Sequence, residues 1–175
     1  MNICDVTITL RAIENEDNTF LLKMINSRSI ESKVLGWSFP HSLNSQVEWY
    51  NTFQNTFKDV KLIIEWDGTK VGLIGATNID LKNSNANVHI KLDEDAPRRK
   101  GIAYKAMQIF CDYLFDEFNL HLVYANILDN NHESRGLFQK LGFVQEGISK
   151  SRVFKNGNYH DVVHFTKFNE RHISK

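Results

Sequence analysis

The chain is predicted to be a mixed α/β protein, and three features of its 175 residues predict it. Apolar residues recur with a period of two in some segments and of about 3.6 in others, in the order β, α, α, β, β, β, α, β, α, β, β. Asp67-Gly68 and Asn156-Gly157 are two-residue hairpin signals, so the runs they join must pair antiparallel. A strand ending at Asp93 passes through a turn rich in cations and Gly into a long helix, a join suited to binding an anion.

Taken in order, Val6 to Ala12 alternates as a strand. Glu14 to Asp17 then supplies turn and acidic residues ahead of an amphipathic helix bearing Phe20, Leu21, Met24 and Ile25. A loop from Gly36 to Leu43 carries Trp37, Phe39, Pro40 and His41. The second helix starts near Ser42 to Ser45, where Ser45 and Glu48 have capping-box spacing, and bears Trp49, Tyr50 and Phe53. Val60 to Trp66 and Lys70 to Leu81 flank Asp67-Gly68, and Asn87 to Asp93 adds one more strand to the meander. From Lys100 to Phe118 a helix places Ile102, Ala106, Ile109, Phe110, Tyr113 and Leu114 on one side, and Leu122 to Leu128 is a strand apolar on both faces. A helix from Asn131 to Leu141 stops at Gly142, with Phe143 as its apolar contact, before strands near Phe143 to Val153 and Tyr159 to Phe168. No linker, repeat or low-complexity stretch interrupts this pattern, so residues 1–175 read as one domain.

Composition narrows the function. Twenty-one basic residues balance twenty-one acidic ones, which gives no overall field for nucleic acid or an anionic membrane. Cys4 and Cys111 are too few and too far apart for a disulfide framework or a zinc site, and reduced thiols suit a cytoplasmic location. No stretch is apolar enough to span a bilayer, and no metal is implied. His160 and His164 have the i, i+4 spacing of a zinc helix but lie in a predicted strand, where that spacing does not create the helical face.

The turn reads Ala96-Pro97-Arg98-Arg99-Lys100-Gly101-Ile102-Ala103. Unpaired N–H groups at a helix start, the small Gly101 and three consecutive cations suit a pyrophosphate. A solvated basic helix start opened by Pro97 is the bland alternative. Arg98-x-x-Gly101-x-Ala103 resembles the acyl-CoA pyrophosphate loop of the GNAT superfamily of N-acetyltransferases. Asp129-Asn130-Asn131-His132-Glu133-Ser134, Lys140-Leu141-Gly142-Phe143 and Asn156-Gly157-Asn158-Tyr159-His160-Asp161-Val162 resemble that superfamily's later motifs. The likeness is to the branch holding ribosomal-protein, spermidine and nucleotide amino-sugar N-acetyltransferases.

The resemblance implies a central, mostly antiparallel sheet of about seven strands flanked by about four helices, with the fourth and fifth strands, Asn87 to Asp93 and Leu122 to Leu128, splayed. It implies acetyl-CoA as co-substrate, held by Arg98, Arg99, Lys100, Gly101, Ile102 and Ala103 at its pyrophosphate. The backbone of Lys91, Leu92 and Asp93, with Asn131, would hold its pantetheine arm. Asn131 is equally placed to cap a helix. Many relatives have a tyrosine four residues after the Ser134 position that protonates the leaving thiolate; this chain has Phe138. A thiol with a pKa of about 8.5 leaves tolerably as thiolate near neutral pH, so Ser134 is the candidate partner that hydrogen-bonds it. The usual glutamate of the fourth strand falls at Asn87, which cannot accept a proton, and His89 on the same face is the candidate base or end of a water relay.

The acceptor is an amine, bound near Asn87 and near Trp37, Phe39 and His41, aromatic positions that serve equally as core. Lys91 and the run Thr77 to Asn83 lean toward a nucleotide-linked amino sugar; a ribosomal-protein N-terminus and a polyamine are the alternatives. A CoA-binding module without chemistry is the competing reading from another class. The amine would attack the thioester directly in a ternary complex, since Cys111 sits mid-helix as a buried structural thiol, and dimers are common in the resembled branch.

Overall fold

The computed structural model describes residues 3–4, 7–36 and 39–170, with Cys4 as backbone only. Eight strands form one sheet: β1 (Ile3–Cys4), β2 (Ile8–Arg11), β3 (Asp59–Trp66), β4 (Thr69–Asp80), β5 (Asn85–Leu92), β6 (Leu122–Leu128), β7 (Val144–Lys155) and β8 (Asn158–Phe168). Their order is β1-β2-β3-β4-β5-β6-β8-β7, and β5–β6 is the parallel pair in an otherwise antiparallel sheet. The helices are α1 (Asn18–Ile25), α2 (Arg28–Glu31), α3 (Leu43–Thr52), α4 (Ile102–Glu117) and α5 (His132–Lys140).

Both hairpins turn as their sequences require, with positive φ at Asp67 (48°) and Gly68 (74°) and at Asn156 (49°) and Gly157 (81°). Helix α5 ends at Gly142, φ 83°, and Phe143 closes against Phe138 edge to face at 4.8 Å. Ser42 caps α3 and shares a reciprocal capping box with Ser45, so the Ser45–Glu48 box expected from spacing lies one turn too late. Helix α2, a single turn capped by Ser27, is too short to show a period. Pro97 does not open a helix either: α4 begins at Ile102, after Gly101.

Alternation gives the sheet two apolar faces. Helices α4 and α5 cover one, where Ile102, Met107, Phe110, Leu114 and Phe138 meet Leu10, Ile64, Ile74, Val88, Ala125 and Phe165. Each Val, Leu, Ile, Met or Phe side chain fully buried here stabilises the fold by about 1.5–3 kcal/mol. On the opposite face Leu21, Phe20, Trp49, Tyr50 and Phe53 from α1 and α3 cover Ile63 and Leu73. Asp17 anchors this corner, fully buried, accepting from Arg11 at 2.7 and 3.0 Å and from Lys70 at 3.1 Å. Over β6, β8 and β7 this second face holds an open cavity.

Candidate active site

Three register pairs hold β5 to β6, Asn85 with Leu122, Ala86 with Val123 and Asn87 with Tyr124. Beyond them β5 stays paired to β4 and β6 to β8, so the strands splay and their facing edges lose their ladder. The expected splay is therefore present, with Asn87 at its vertex and Lys91, Leu92 and Asp93 along one lip. Backbone donors and acceptors on an unladdered edge need partners, and an amide-rich arm such as pantetheine supplies them.

At the end of that lip the chain turns into α4. Gly101 occupies the N-cap position in the left-handed region, φ 74°, and has no side chain to satisfy the first-turn N–H groups. A Cβ there would meet no protein atom within 4 Å, so the space beside Gly101 at the helix end is open to a ligand; Ile102 and Ala103, the next two residues, bring their backbone N–H groups to that end. Arg98, Arg99 and Lys100 are exposed beside it, and Arg99 also has a positive φ, 59°. These residues fit a CoA pyrophosphate: helix-end donors, local positive charge and room. The preceding loop is held from the other side of the wedge, because Lys23 pairs with Asp93 at 2.9 Å and Asp95 at 2.6 Å, and Glu94 accepts from Ser29 at 2.8 Å and from Ser27.

The other lip leads into α5. Asn131 is its N-cap: Oδ1 accepts from Ser134 N–H at 3.1 Å while Nδ2 donates to the Lys33 carbonyl at 3.1 Å. Capping and the expected neighbourhood of the arm thus coincide in one residue. Ser134 stands in the first turn of α5, partly exposed, and Phe138 is 2% exposed in the core.

On the face opposite α4 and α5, β5 presents Asn87, His89 and Lys91, as alternation requires. The His89 ring lies over β4: a Cβ on Gly75 would come within 2.8 Å of His89 Nε2 and 2.5 Å of the Val60 carbonyl, so only glycine fits there. Burial, Lys91 and Lys61 push the His89 imidazole down to about 4, against the opposing pull of Asp59. Burial, Lys61 and Lys155 likewise hold the Lys91 ammonium below its ordinary value. Lys61 itself pairs with Asp59 at 2.6 Å and stands 4.5 Å from the Phe53 ring centre. This geometry weighs against His89 as proton acceptor, since its imidazolium would form among cations and away from the wedge. Trp37 lies outside the described residues; Phe39 is 59% exposed, and His41 is fixed through its backbone to Asn26 by two 2.9 Å bonds. Cys111 is buried within α4 and its thiol is pushed up to about 12 by burial, a structural thiol as its mid-helix place suggests. Among the described residues no cluster suits a metal ion, and no helix is long and apolar enough to cross a membrane.

Sequence reasoning missed three features of the site. Lys155 reaches from β7 to the 31–36 segment; His164 is hydrogen-bonded to Asn126 and Ser149; Glu146 is turned onto the cavity by a bulge. Alternation in β8 puts His164 on the face opposite α4 and α5, a signal the zinc question obscured; the other two depend on long-range contacts or on a bulge.

Comparison with known proteins fixes the family. The spermidine N(1)-acetyltransferase of Vibrio cholerae is 30% identical over 159 residues, 89% of each chain. That of Escherichia coli K12 is 25% identical over 172 residues, 97% of this chain and 90% of that protein. The crystal structure of spermidine N-acetyltransferase from Vibrio cholerae with CoA and spermine superposes with a TM-score of 0.87 at 26% identity, over 97% of this chain and 100% of that one. These relatives do not support the nucleotide amino-sugar acceptor. The run that suggested it is the end of β4 and the turn after it, where Asp80 accepts from Lys82 N–H at 2.9 Å and from Asn83 N–H at 3.0 Å. A profile of the acetyltransferase (GNAT) domain matches residues 7–144, from β2 through α5, and the chain therefore belongs to that family, as an N-acetyltransferase that uses acetyl-CoA.

Proposed function

We propose that the acceptor is a polyamine of the spermidine class, acetylated on a primary amine by direct attack within a ternary complex. The observation that carries this reading is the full-length likeness to spermidine N-acetyltransferases. When bound, acetyl-CoA supplies the activated acetyl group as a thioester. The residues of this chain do the rest. Backbone N–H groups of the Gly101 turn, with Arg98, Arg99 and Lys100, hold the pyrophosphate; the open edge at Lys91 to Asp93 and Asn131 align the arm; Ser134 hydrogen-bonds the sulfur.

Electrostatics suit an amine nucleophile. Lys61 and Lys91 add positive charge on this face, second to burial in lowering the His89 imidazole, and so favour the neutral, attacking form of an incoming amine. They equally repel its remaining ammonium groups, which are directed toward the cavity over β6, β8 and β7. Cys111 is buried, which supports direct attack over a cysteine-bound intermediate.

The test is acetyl-CoA-dependent thiol release with spermidine, spermine, simple diamines and N-terminal peptides of ribosomal proteins. Turnover of polyamines is expected. Turnover of peptides alone would overturn the acceptor class, and saturable acetyl-CoA binding with no turnover of any amine would make the chain a CoA-binding module.

A further inference from the structure

Across the wedge from the cation row, β6, β8 and β7 assemble a second set of polar groups. Asn126 pairs with His164 and Tyr124 with Thr166. Tyr124 is the last β6 residue paired to β5, so Asn126 stands two residues farther on, about 7 Å along the strand, where the wedge has opened. His164 Nδ1 lies 2.7 Å from Asn126 Oδ1, and Ser149 Oγ lies 2.8 Å from His164 Nε2. An amide oxygen only accepts, so Nδ1 carries the hydrogen and Nε2 is left as a proton acceptor, linked to the Ser149 hydroxyl.

Glu146 adds a carboxylate. The register of β7 slips between Gln145 and Gly147, and bulges of this kind re-aim a side chain. Here Glu146 Oε2 accepts from Thr166 Oγ1 at 2.6 Å. Asn85, Tyr124, Asn126, Glu146, His164 and Thr166 surround a cavity of about 380 Å³, within the range of small-ligand sites, and its lining includes neither lysine nor arginine. Glu146 is two strands from β6, about 10 Å at about 4.8 Å per strand, a span that a polyamine covers and a short monoamine does not.

We propose that this cavity receives the polyamine acceptor, Glu146 pairing with a distal ammonium and His164 taking the proton that the reacting nitrogen must lose. The inference rests on the polyamine reading above and assigns it a place in the fold. The step is one proton transfer: the reacting ammonium gives a proton to solvent in the cavity, which passes one to Ser149 Oγ as the serine's own proton moves to His164 Nε2, since Ser149 on β7 is itself about 10 Å from β6. This leaves a neutral amine at the wedge and an imidazolium whose Nδ1–H is held by Asn126. The proton is then lost to solvent. Titratable groups that share this face are Tyr124 from β6, Glu146 and Lys155 from β7, His89 and Lys91 from β5, and Asp59 and Lys61 from β3. Farther along, His160 of β8 lies 3.3 Å from Asp129, and Lys150 of β7 is paired with Asp161 at 2.7 Å.

Two measurements test the proposal, with thermal unfolding and acetyl-CoA binding as controls for folding. In the CoA-saturated protein, spermidine is expected to shift the imidazole NMR signal of His164, identified by its loss in His164→Gln. In kinetics, Glu146→Gln is expected to raise KM for spermidine about tenfold with little change in kcat and no change for heptylamine. His164→Gln is expected to lower kcat/KM about 100-fold and to remove the acidic limb of the pH–rate profile, with a smaller loss in Ser149→Ala. If the wild-type chain acetylates spermidine while these variants keep its KM and pH profile and the imidazole signal stays put, the proposal fails and the polyamine reading stands. If the wild type turns over no polyamine, that reading fails and takes this site's substrate with it.

Discussion

Lys155 Nζ donates to the Gly36 carbonyl at 2.7 Å across 119 residues of sequence. The same ammonium donates to the Glu31 carbonyl at 3.0 Å and to the Glu31 carboxylate, so all three of its hydrogens are used while the residue is 6% exposed. It pins the 31–36 segment, which precedes the aromatic loop, against the β7–β8 hairpin. Lys155→Met removes every one of these bonds at once and leaves the Glu31 and Gly36 carbonyls and the Glu31 carboxylate without this donor. A loss of about 2–4 kcal/mol in urea unfolding is expected, with KM for the amine raised and the Kd for acetyl-CoA within twofold of wild type. Equal weakening of both ligands would show instead that the segment supports the CoA side.

Gly101 is required for its backbone and not for want of space, since a Cβ there would meet nothing within 4 Å. At φ 74° an alanine is strained by about 1 kcal/mol, and the turn that aims the first helical N–H groups must adjust. Gly101→Ala should therefore cost little stability and weaken acetyl-CoA about tenfold by calorimetry. An unchanged Kd would remove the turn from the pyrophosphate site.

The extent to which this site can be read from sequence follows the range of its contacts. Gly101, Asn156-Gly157 and Gly142 announce themselves because their conformations are set by neighbours along the chain. The face of β5 bearing Asn87, His89 and Lys91 was legible for the same reason, from alternation alone. The direction of the His89 ring was not, because it depends on Gly75 in the adjacent strand and on the charges of Lys61 and Lys91. The ties Lys23–Asp93, Asn131–Lys33 and Lys155–Gly36 all end in segment 23–36, whose single-turn helix α2 has no periodic signature. Glu146 could not be placed from sequence, since the bulge makes alternation counted from Val144 and from Ile148 assign it to opposite faces.

Ser134 and Asn131 stand three residues apart and separate chemistry from scaffolding. The bond between them uses the Ser134 backbone N–H, which Ser134→Ala retains. That variant should unfold like wild type, bind acetyl-CoA within twofold, and lose about tenfold in kcat if the hydroxyl steadies the thiolate. Asn131→Ala loses the cap and the bond to Lys33 together, and a drop of about 1 kcal/mol in stability is expected. Full kcat in Ser134→Ala would remove the serine from the reaction.

His89 makes stability depend on pH in a defined window. Its imidazole is held down to about 4 by burial, Lys91 and Lys61, whereas an unfolded chain protonates histidine near pH 6.5. Between those values the unfolded state binds the extra proton. The contribution is thus fully present above about pH 6.5 and is lost as pH falls toward 4, by up to roughly 3 kcal/mol. His89→Gln has no such proton to bind, so urea unfolding at pH 7.5 and pH 5 should differ less for the variant than for wild type. The same drop in both would place the acid sensitivity elsewhere and show that the imidazole can charge within the fold, a result that would return His89 to contention as the base.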